Sequence, residues 1–308
     1  MANTYLNRSV TTTQADSARY KFTVSVWVKT SLPVSSSTIW QDYYSDAYRT
    51  FLRFDTGIIA FKNMNNSSAS AQLVTNQVFR DVNGWYHIVV VGDTTQATAS
   101  DRLKMYVNGE QVTSFSSSTY PSQNTGFELA NNNWTQYIGA RNSGGTIGTH
   151  FDGSMSHFHY TESYAYAPTV FGETDSTTGE WKINPSPSVT YGTNGFFILK
   201  DGNSVTDQSG RGNNFTVGGG TLTKTEDNPS NVFCTMNPLI KDVVLTNGNN
   251  SFGGQTSNGH TMCIGNMAVN KGKWYYEVLG GDTFSTYPQI GWYGMDTAYA
   301  NTNAQYLG

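Results

Sequence analysis

An aromatic cluster at residues 40–48 (WQDYYSDAY) has the composition of a sugar-binding surface. Its four rings belong to Trp40, Tyr43, Tyr44 and Tyr48, and they stand among acids and an amide in a stretch that we predict to be a loop. Proteins hold sugars by stacking aromatic faces on C–H patches while amides and carboxylates bind the hydroxyls. The cluster is therefore a candidate carbohydrate site. Alternatively, the rings pack at the edge of a sheet or in a subunit contact.

Two histidines at two-residue spacing form a candidate metal site. His157 and His159 lie on a predicted strand, where side chains two apart share a face, and His150 or Asp152 would supply a third ligand. No third ligand has a convincing spacing, so the alternative is that both rings hydrogen-bond to neighbours on a polar face. His87 lies inside an apolar strand and is predicted to be a core histidine. We predict no metal site.

An oxygen-rich loop at residues 207–214 (DQSGRGNN) is similar in composition to a calcium loop. In an EF-hand register, however, Arg211 would occupy a position that needs an oxygen ligand. Gly210 and Gly212 are better explained as parts of a tight turn. We therefore predict no cofactor, with Ca²⁺ binding left open as an alternative. The nearby run Gly218-Gly219-Gly220 lacks the Lys of a phosphate loop and is predicted to be a flexible joint.

The elements that position these residues are predicted to be strands. Of the 308 residues, 14% are aromatic and only 13% are charged, which excludes extensive disorder and long coiled coils. Thirty-one glycines, with many Asn, Ser and Thr residues, indicate short strands joined by turns. The composition therefore predicts an all-β fold.

Charge and hydropathy narrow the range of partners. The net charge is −4 and no run of Lys or Arg would neutralise a row of phosphates, so the sequence predicts no nucleic-acid partner. No apolar run has the length of a signal peptide core or a membrane span. Cys234 and Cys263 are expected to be free thiols in a reducing cytosol, with a bridge between them as the alternative.

Alternation of apolar and polar residues predicts a series of strands at the spacing of a β-sandwich. The apolar run at Gly84–Val91 predicts a strand that is buried on both faces. Asn108-Gly109 predicts a type I′ hairpin. The other predicted strands are Lys21–Lys29, with Val24 to Val28 facing the core, Thr50–Lys62 around an Asp55-Thr56-Gly57 turn, Leu103–Val107, Thr135–Ala140 and Gly153–Tyr160.

The order of these motifs resembles the laminin-G-like branch of the concanavalin A-like lectin/glucanase superfamily. A Trp-Tyr-His strand (GWYHIVVV) precedes a Tyr-Val-Asn-Gly hairpin (LKMYVNGEQV), and YIGA and FDGSMSHFHY follow, all within residues 4–165. The resemblance implies an antiparallel jelly-roll sandwich. We expect this domain to occupy residues 1–183.

Retaining glucanases of this superfamily carry a Glu-x-Asp-x-(x)-Glu run, in which the two working carboxyl groups lie about 5–5.5 Å apart. The nearest match is Glu173-Thr174-Asp175 with Glu180, but a Ser-Thr-Thr-Gly stretch between these acids predicts a surface turn. No Gly-x-Ser-x-Gly motif surrounds a serine. The chain is therefore predicted not to be an enzyme, and no catalytic residue is assigned.

A second set of motifs, between residues 171 and 239, resembles a family of tailed-phage virion proteins in which a connector follows a lectin-like domain. We expect this Gly/Asn/Pro-rich connector at residues 184–240. Residues 241–308 resemble the first half of a SPRY β-sandwich, with Trp274–Val278 as one strand and Gln289–Trp292 as its partner. Half a sandwich would have open edges, so we expect the chain to continue past Gly308. The second set of motifs is FGETD with TGEW, TYGTNGFFILKD, DQSGRGNNFT and DNPSNVFCTMNPL.

These resemblances imply a non-enzymatic virion structural protein of fibre, spike or head-decoration type. It would contact other virion proteins, with host-surface glycan as a further ligand. It would be assembled in the host cytoplasm and displayed on the virion surface, as a homo-oligomer for which a trimer is favoured. The alternatives are a dedicated receptor-binding lectin or adhesin, and a glycan hydrolase.

Overall fold

The computed structural model describes residues 3–31, 36–200, 205–241, 243–246, 248–255, 263–280 and 290–292. The chain divides into two units, Met1–Met267 and Ala268–Gly308. Short 3₁₀-helices occur at Asp16–Arg19, Ala99–Asp101 and Pro168–Val170. Among the described residues, no helix is both long and apolar enough to cross a membrane.

Strands make up most of the regular structure, as the composition predicts. In chain order they are β1 (Tyr5–Ser9), β2 (Lys21–Thr30), β3 (Ser37–Tyr43), β4 (Arg49–Asp55), β5 (Ile58–Asn65), β6 (Ser68–Val78), β7 (Tyr86–Asp93), β8 (Leu103–Val107), β9 (Glu110–Gln111), β10 (Phe115–Thr119), β11 (Thr135–Ile138), β12 (Arg141–Ser143), β13 (Thr146–Gly148), β14 (Gly153–Glu162), β15 (Gly172–Thr174), β16 (Trp181–Ile183), β17 (Phe196–Ile198), β18 (Thr216–Gly219), β19 (Met236–Lys241), β20 (Val243–Thr246), β21 (Ser251–Gln255) and β22 (Cys263–Gly265).

Two antiparallel sheets form the layers of a sandwich in the first unit. The eight-stranded sheet has the order β10-β6-β5-β4-β3-β11-β1-β18, and the six-stranded sheet has the order β17-β14-β2-β7-β8-β9. The remaining strands form the pairs β12–β13, β15–β16, β19–β22 and β20–β21. The expected all-β jelly-roll sandwich is confirmed.

The core lies between the two sheets because apolar residues alternate along the strands. The even-numbered residues of β2 from Phe22 to Val28 are buried there with Ile88 and Val90 of the neighbouring strand β7. The eight-stranded sheet contributes Leu52 and Phe54 of β4 to the same core. Full burial of each such side chain stabilises the fold by about 1.5–3 kcal/mol. The predicted strands in these regions are confirmed.

Two tight hairpins have the predicted geometry. Asn108 (φ 50°) and Gly109 (φ 83°) join β8 to β9, and Thr56 (φ 54°) and Gly57 (φ 88°) join β4 to β5. Positive φ at both central residues is the type I′ conformation, which matches the twist of the flanking strands. Gly109 is required for a second reason, since a Cβ there would lie 2.5 Å from the ring of Trp181.

The outer face of the six-stranded sheet is covered by later parts of the chain. Trp181 of β16 lies parallel to the ring of His87 and donates from Nε1 to its Nδ1 over 3.0 Å. Lys29 of β2 forms a buried ion pair with Asp227, with 2.9 Å between Nζ and Oδ2, and Trp85 Nε1 also donates to that oxygen. Strand β7 is therefore buried on both faces, as predicted.

The stretch predicted as a connector, residues 184–240, contributes a strand to each sheet. β17 pairs with β14, and β18 pairs with β1. Gly218 belongs to β18, and a Cβ there would lie 2.3 Å from the Tyr5 ring. The prediction of a flexible joint at Gly218-Gly219-Gly220 is therefore wrong, because the glycines permit close packing on Tyr5. The proposed domain limits stay a prediction.

The second unit differs from its predicted secondary structure. Residues 273–280 carry no regular structure, so the predicted strand Trp274–Val278 is absent, and its side chains are exposed. Without backbone pairing, the alternation of Trp274, Tyr276 and Val278 does not place them in a core. The Tyr276 and Trp292 rings do make a T-shaped contact at 5.0 Å. Gln289 lies outside the described residues, and the resemblance to a SPRY half-sandwich stays a prediction.

A buried polar network connects the two layers of the sandwich. The Arg8 guanidinium on β1 donates to Gln136 Oε1 over 2.7 Å and to the Asn194 carbonyl over 2.6 Å. Gln136 Nε2 and the Ala130 amide donate to Asp42 Oδ2 over 3.0 and 2.6 Å. Every polar side chain in this network is at most 7% exposed.

Two carboxyl groups of the network have different surroundings. Glu162 of β14 accepts from the amide and from Nδ2 of Asn194, each over 3.0 Å. Asp42 binds both of its donors through Oδ2, and within the described residues its Oδ1 has no hydrogen-bond partner. Burial therefore outweighs these hydrogen bonds and raises the pKa of Asp42 to about 6.

We predict that Asp42→Asn flattens the pH dependence of the unfolding free energy between pH 4 and pH 6. The folded pKa near 6 exceeds the ordinary value of 3.8, so the native chain loses up to roughly 3 kcal/mol as pH rises through this range. Asn keeps an acceptor for Ala130 and Gln136 but does not titrate. Urea unfolding at several pH values measures the slope, and an identical slope in both chains would contradict the prediction.

Candidate functional site

The predicted aromatic loop begins inside a strand. β3 extends to Tyr43, and on its inner face Trp40 is fully buried, with its ring 5.8 Å from that of Tyr160. Trp40 therefore cannot stack on a sugar, and its assignment to the carbohydrate site is wrong. The reason is that the ring packs in the core between the two sheets, on a strand that lies inside the sheet and not at its edge.

The three tyrosines of the cluster lie at the connection between β3 and β4. Tyr43 packs against the ring of Tyr137, and its hydroxyl accepts from the Gly144 amide over 3.0 Å. Tyr44 is 59% exposed and stacks on Trp134 with an interplanar angle of 17°. The Tyr48 carbonyl accepts from the amide of Tyr44 and closes the turn. A role of these tyrosines in sugar binding stays a prediction.

A groove of about 220 Å³ lies on the outer face of the eight-stranded sheet, beside this turn. Its position follows from alternation on β4, where Thr50, Leu52 and Phe54 face the core and the residues between them face outward. Adjacent strands and the β12–β13 hairpin supply the remaining walls. The lining residues are Thr38, Arg49, Phe51, Arg53, Lys62, Met64, Ala69 and Arg141.

Four cationic side chains surround Phe51 in this groove. Arg49 and Arg53 flank it on β4, with their guanidinium carbons 5.9 and 5.1 Å from the centre of its ring. Lys62 lies opposite Phe51 on β5. Arg141 reaches the groove from β12. The groove therefore combines an apolar floor with a cationic rim.

Two of the four cations are paired with acids. Arg49 forms an ion pair with Asp46, and Arg53 forms one with Asp55 at 2.7 Å. In the part of the chain that the structure describes, Lys62 and Arg141 form no ion pair. Burial, followed by the nearby charge of Arg141, lowers the pKa of Arg49. The groove therefore has an excess of positive charge.

Buried polar atoms in the groove lack partners. Thr38 is 1% exposed, and neither its Oγ1 nor the Nε of Arg49 or Arg53 has a hydrogen-bond partner among the described residues. Buried donors are normally paired, and leaving one unpaired costs about 1–3 kcal/mol.

The β12–β13 hairpin is held over the sheet by a reciprocal pair of hydrogen bonds. The Asn142 amide donates to Gln41 Oε1 over 2.6 Å, and Gln41 Nε2 donates to the Asn142 carbonyl over 3.1 Å. Ser143 Oγ also donates to Asp46, over 3.0 Å. These contacts position the neighbouring residue Arg141 at the groove.

The model of the Laminin_G_3 family, described as the concanavalin A-like lectin/glucanases superfamily, matches residues 3–164. The chain belongs to this superfamily. The matched residues agree with the range 4–165 over which the motifs resemble the laminin-G-like branch. Comparison with curated proteins finds no match to the sequence.

Two solved structures among those similar to this lectin/glucanase-superfamily chain come from Bacteroides ovatus and Limulus polyphemus. A proposed carbohydrate-binding protein from Bacteroides ovatus has 19% identity and a TM-score of 0.51, over 75% of this chain and 60% of that chain. A heptameric SAP-like pentraxin from Limulus polyphemus has 15% identity and a TM-score of 0.43, over 71% of this chain and 90% of that chain. At 19% identity, the Bacteroides ovatus structure shows a common fold alone.

The histidines of this superfamily member are hydrogen-bonded within the sandwich. His87 accepts from Trp181 at Nδ1, so its Nε2 carries the proton and donates to Ser25 Oγ over 2.8 Å. Burial lowers the pKa of His87 to about 3, so the ring is neutral. These contacts match the predicted core histidine.

His157 and His159 do not share a face in the predicted way. A bulge separates Ser156 from His159, and His157 has φ 47°. The Nδ1 of His157 pairs with Ser156 Oγ, and that of His159 pairs with the Tyr191 hydroxyl, at 2.8 and 2.9 Å. Among the described residues, no group of three His, Cys, Asp or Glu side chains is arranged to hold a metal ion. Both histidine rings therefore hydrogen-bond to neighbouring side chains, which was the alternative to a metal site.

The acids at residues 173–180 form the predicted turn. They connect β15 to β16, and Asp175 accepts from the amides of Thr177 and Thr178 and pairs with Lys182 at 2.6 Å. The hydrogen bond from Lys182 is the main reason why the pKa of Asp175 lies below its ordinary value. Glu173 and Glu180 are exposed. This geometry is that of a surface turn.

The carboxylate of Asp207 likewise organises its own loop. It accepts from the amides of Phe197, Ser209 and Asn213 and from the Ser209 hydroxyl, at distances of 2.7–2.9 Å. Gly210 and Gly212 have φ near 75°, as a tight turn requires.

Cys234 and Cys263 are free thiols.

We predict that Gln41→Met loosens the β12–β13 hairpin and lowers the unfolding free energy by about 1–3 kcal/mol, because the buried Asn142 amide loses its acceptor. Gln72→Met is the matched control, since Gln72 lies on the same sheet and donates to a partly exposed serine. Urea unfolding gives the stability, and hydrogen exchange at Asn142 reports the hairpin. Unchanged exchange at Asn142 would show that the pair does not hold it.

Proposed function

We propose that the chain binds carbohydrate, without chemical turnover, in the groove around Phe51. The observation that carries this proposal is that three residues lining a groove on the open sheet face hold buried polar atoms with no partner among the described residues: Thr38 Oγ1 and the Nε atoms of Arg49 and Arg53. Sugar hydroxyls supply both donors and acceptors, and Phe51, which is 9% exposed, forms the apolar floor of the groove. The shared fold with the Bacteroides ovatus protein supports this reading.

Binding without hydrolysis is favoured by the charge of the lining. The described lining residues include no Asp or Glu. Asp46 and Asp55 lie beside the groove, but each is paired with an arginine. Glycoside hydrolysis needs two carboxyl groups on either side of the scissile bond. Release of reducing sugar from any polysaccharide would restore the alternative of a glycan hydrolase.

Attachment to a phage particle is a second candidate function. It rests on the motifs between residues 171 and 239, which resemble those of tailed-phage virion proteins. A homo-oligomer on the virion surface, with a trimer favoured, would also multiply weak glycan binding.

We predict that the intact chain binds a subset of glycans on an array and that Thr38→Val weakens this binding about tenfold. The substitution keeps the shape of the side chain but removes one buried hydrogen-bonding group. Thr216→Val, on the far edge of the same sheet, is the matched control. Absence of binding to every glycan would refute the proposal.

Tyrosine variants separate the groove from the predicted aromatic site. Tyr44→Ala removes the exposed ring that stacks on Trp134, whereas Tyr43→Ala removes a ring beside Arg49. If Tyr44→Ala abolishes binding while Thr38→Val leaves it unchanged, the sugar site is the turn and the groove assignment fails.

For the particle hypothesis, we predict that mass spectrometry of purified phage particles detects this chain at a fixed ratio to the major capsid or tail protein. A structural protein is present in constant copy number because it occupies symmetric sites. Its absence from particles whose lysate contains the chain would eliminate this function and leave the dedicated lectin.

A further inference from the structure

The groove is cationic in a chain whose net charge is −4. Arg49, Arg53, Lys62 and Arg141 converge on it, and Phe51 forms its floor. We propose that its ligand is an acidic saccharide, whose carboxylate or sulfate group is bound by Lys62 and Arg141. This inference rests on the proposed function, since it names the class of glycan that the same groove takes.

Lys62 and Arg141 form no ion pair among the described residues, although Arg141 donates to Ser143 Oγ over 3.2 Å, and they define where the anionic group would lie. Asp46 and Asp55 neutralise Arg49 and Arg53, so the excess charge belongs to Lys62 and Arg141. Lys62 stands opposite Phe51 on the adjacent strand, and Arg141 comes from the hairpin. Because both cations line one groove, an anionic ligand gains more there than a neutral one.

The paired arginines have a different part in recognition. Their guanidinium groups lie along the Phe51 ring, and their Nε atoms have no partner in the described part of the chain. The planar guanidinium group offers donors in fixed directions, which suits ring hydroxyls and carboxylate oxygens. Buried Thr38 adds a hydroxyl at the same site. Polar recognition of the sugar and charge recognition of its acidic group therefore come from different residues.

The size and charge of the groove favour a saccharide over a nucleic acid. A volume of about 220 Å³ is smaller than a typical pocket for a drug-sized ligand, so it holds a short segment with one anionic group. A nucleic acid presents a row of phosphates and needs many cations along a stripe. The chain carries 18 Lys and Arg residues against 22 acids.

The test compares probes that differ in charge but little in shape. Hexagalacturonate, its fully methyl-esterified form, a κ-carrageenan hexasaccharide, its desulfated neutral form, and a single-stranded oligonucleotide are titrated into the intact chain by calorimetry. The carboxylate and sulfate arms distinguish the two sources of the anionic group. The variants are Lys62→Gln and Arg141→Gln, with Lys104→Gln on the six-stranded sheet as the matched control. Thermal melts verify that each variant is folded.

We expect one acidic saccharide to bind at least about tenfold more tightly than its neutral counterpart, because charge-assisted hydrogen bonds are the stronger ones. Lys62→Gln and Arg141→Gln should each remove most of that preference, and added salt should reduce it. Lys104→Gln should behave as the native chain does.

Other outcomes overturn the inference in distinguishable ways. Equal affinity for acidic and neutral forms would remove the acidic preference while leaving carbohydrate binding intact. An acidic preference that survives both groove variants, or tighter binding of the oligonucleotide, would also overturn it. No binding of any saccharide would defeat the proposed function together with the inference.

Discussion

The guanidinium of Arg8 lies between the two sheets, where a cation without partners would destabilise the fold by several kcal/mol. It is tolerated because three kinds of group surround it: the oxygens of Gln136 and Asn194, the carboxyl groups of Asp42 and Glu162, and the rings of Phe196 and Phe215 at 5.4 and 5.6 Å. The partners come from several distant parts of the chain. Glu162 holds Asn194, and Asp42 holds Ala130. The network around this one buried charge thus contacts the loops that contain Ala130 and Asn194, and also strand β17.

The two outer faces of the sandwich differ in how many of their polar groups bind other parts of the chain. The six-stranded face is closed by Trp181 on His87 and by Asp227 on Lys29, so its polar groups are consumed in holding the chain together. The face of the eight-stranded sheet carries the groove around Phe51, where Lys62 and Arg141 form no ion pair with any described residue and Thr38 Oγ1 has no hydrogen-bond partner among them. The outer face of the six-stranded sheet therefore contributes to stability, whereas the outer face of the eight-stranded sheet is open to a ligand.

Local patterns in the sequence predict the strands well and the site only in part. Alternation identifies β2 and β7, and Asn108-Gly109 identifies its hairpin, because these signals depend on neighbouring residues alone. Along β4, Arg49, Phe51 and Arg53 alternate with the buried residues Thr50, Leu52 and Phe54. This pattern is present in the sequence and would have indicated the residues of the groove floor. Thr38 and Arg141, by contrast, are brought together only by the topology of the sheet. Trp40 was misplaced because its polar neighbours resemble a loop, although β3 continues through them.

Strand β1 lies between β11 and β18 in the sheet, so the ribosome synthesises both of its partner strands long after β1 itself. Its hydrogen bonds with β18 join residues near 6 to residues near 217. At about 5–20 residues per second, the ribosome needs roughly 10–40 s to synthesise that interval. During this time strand β1, which carries Arg8, cannot yet pair with β18. Long-range pairing of this kind makes folding slow, so the emerging chain depends on late residues to complete its earliest strand.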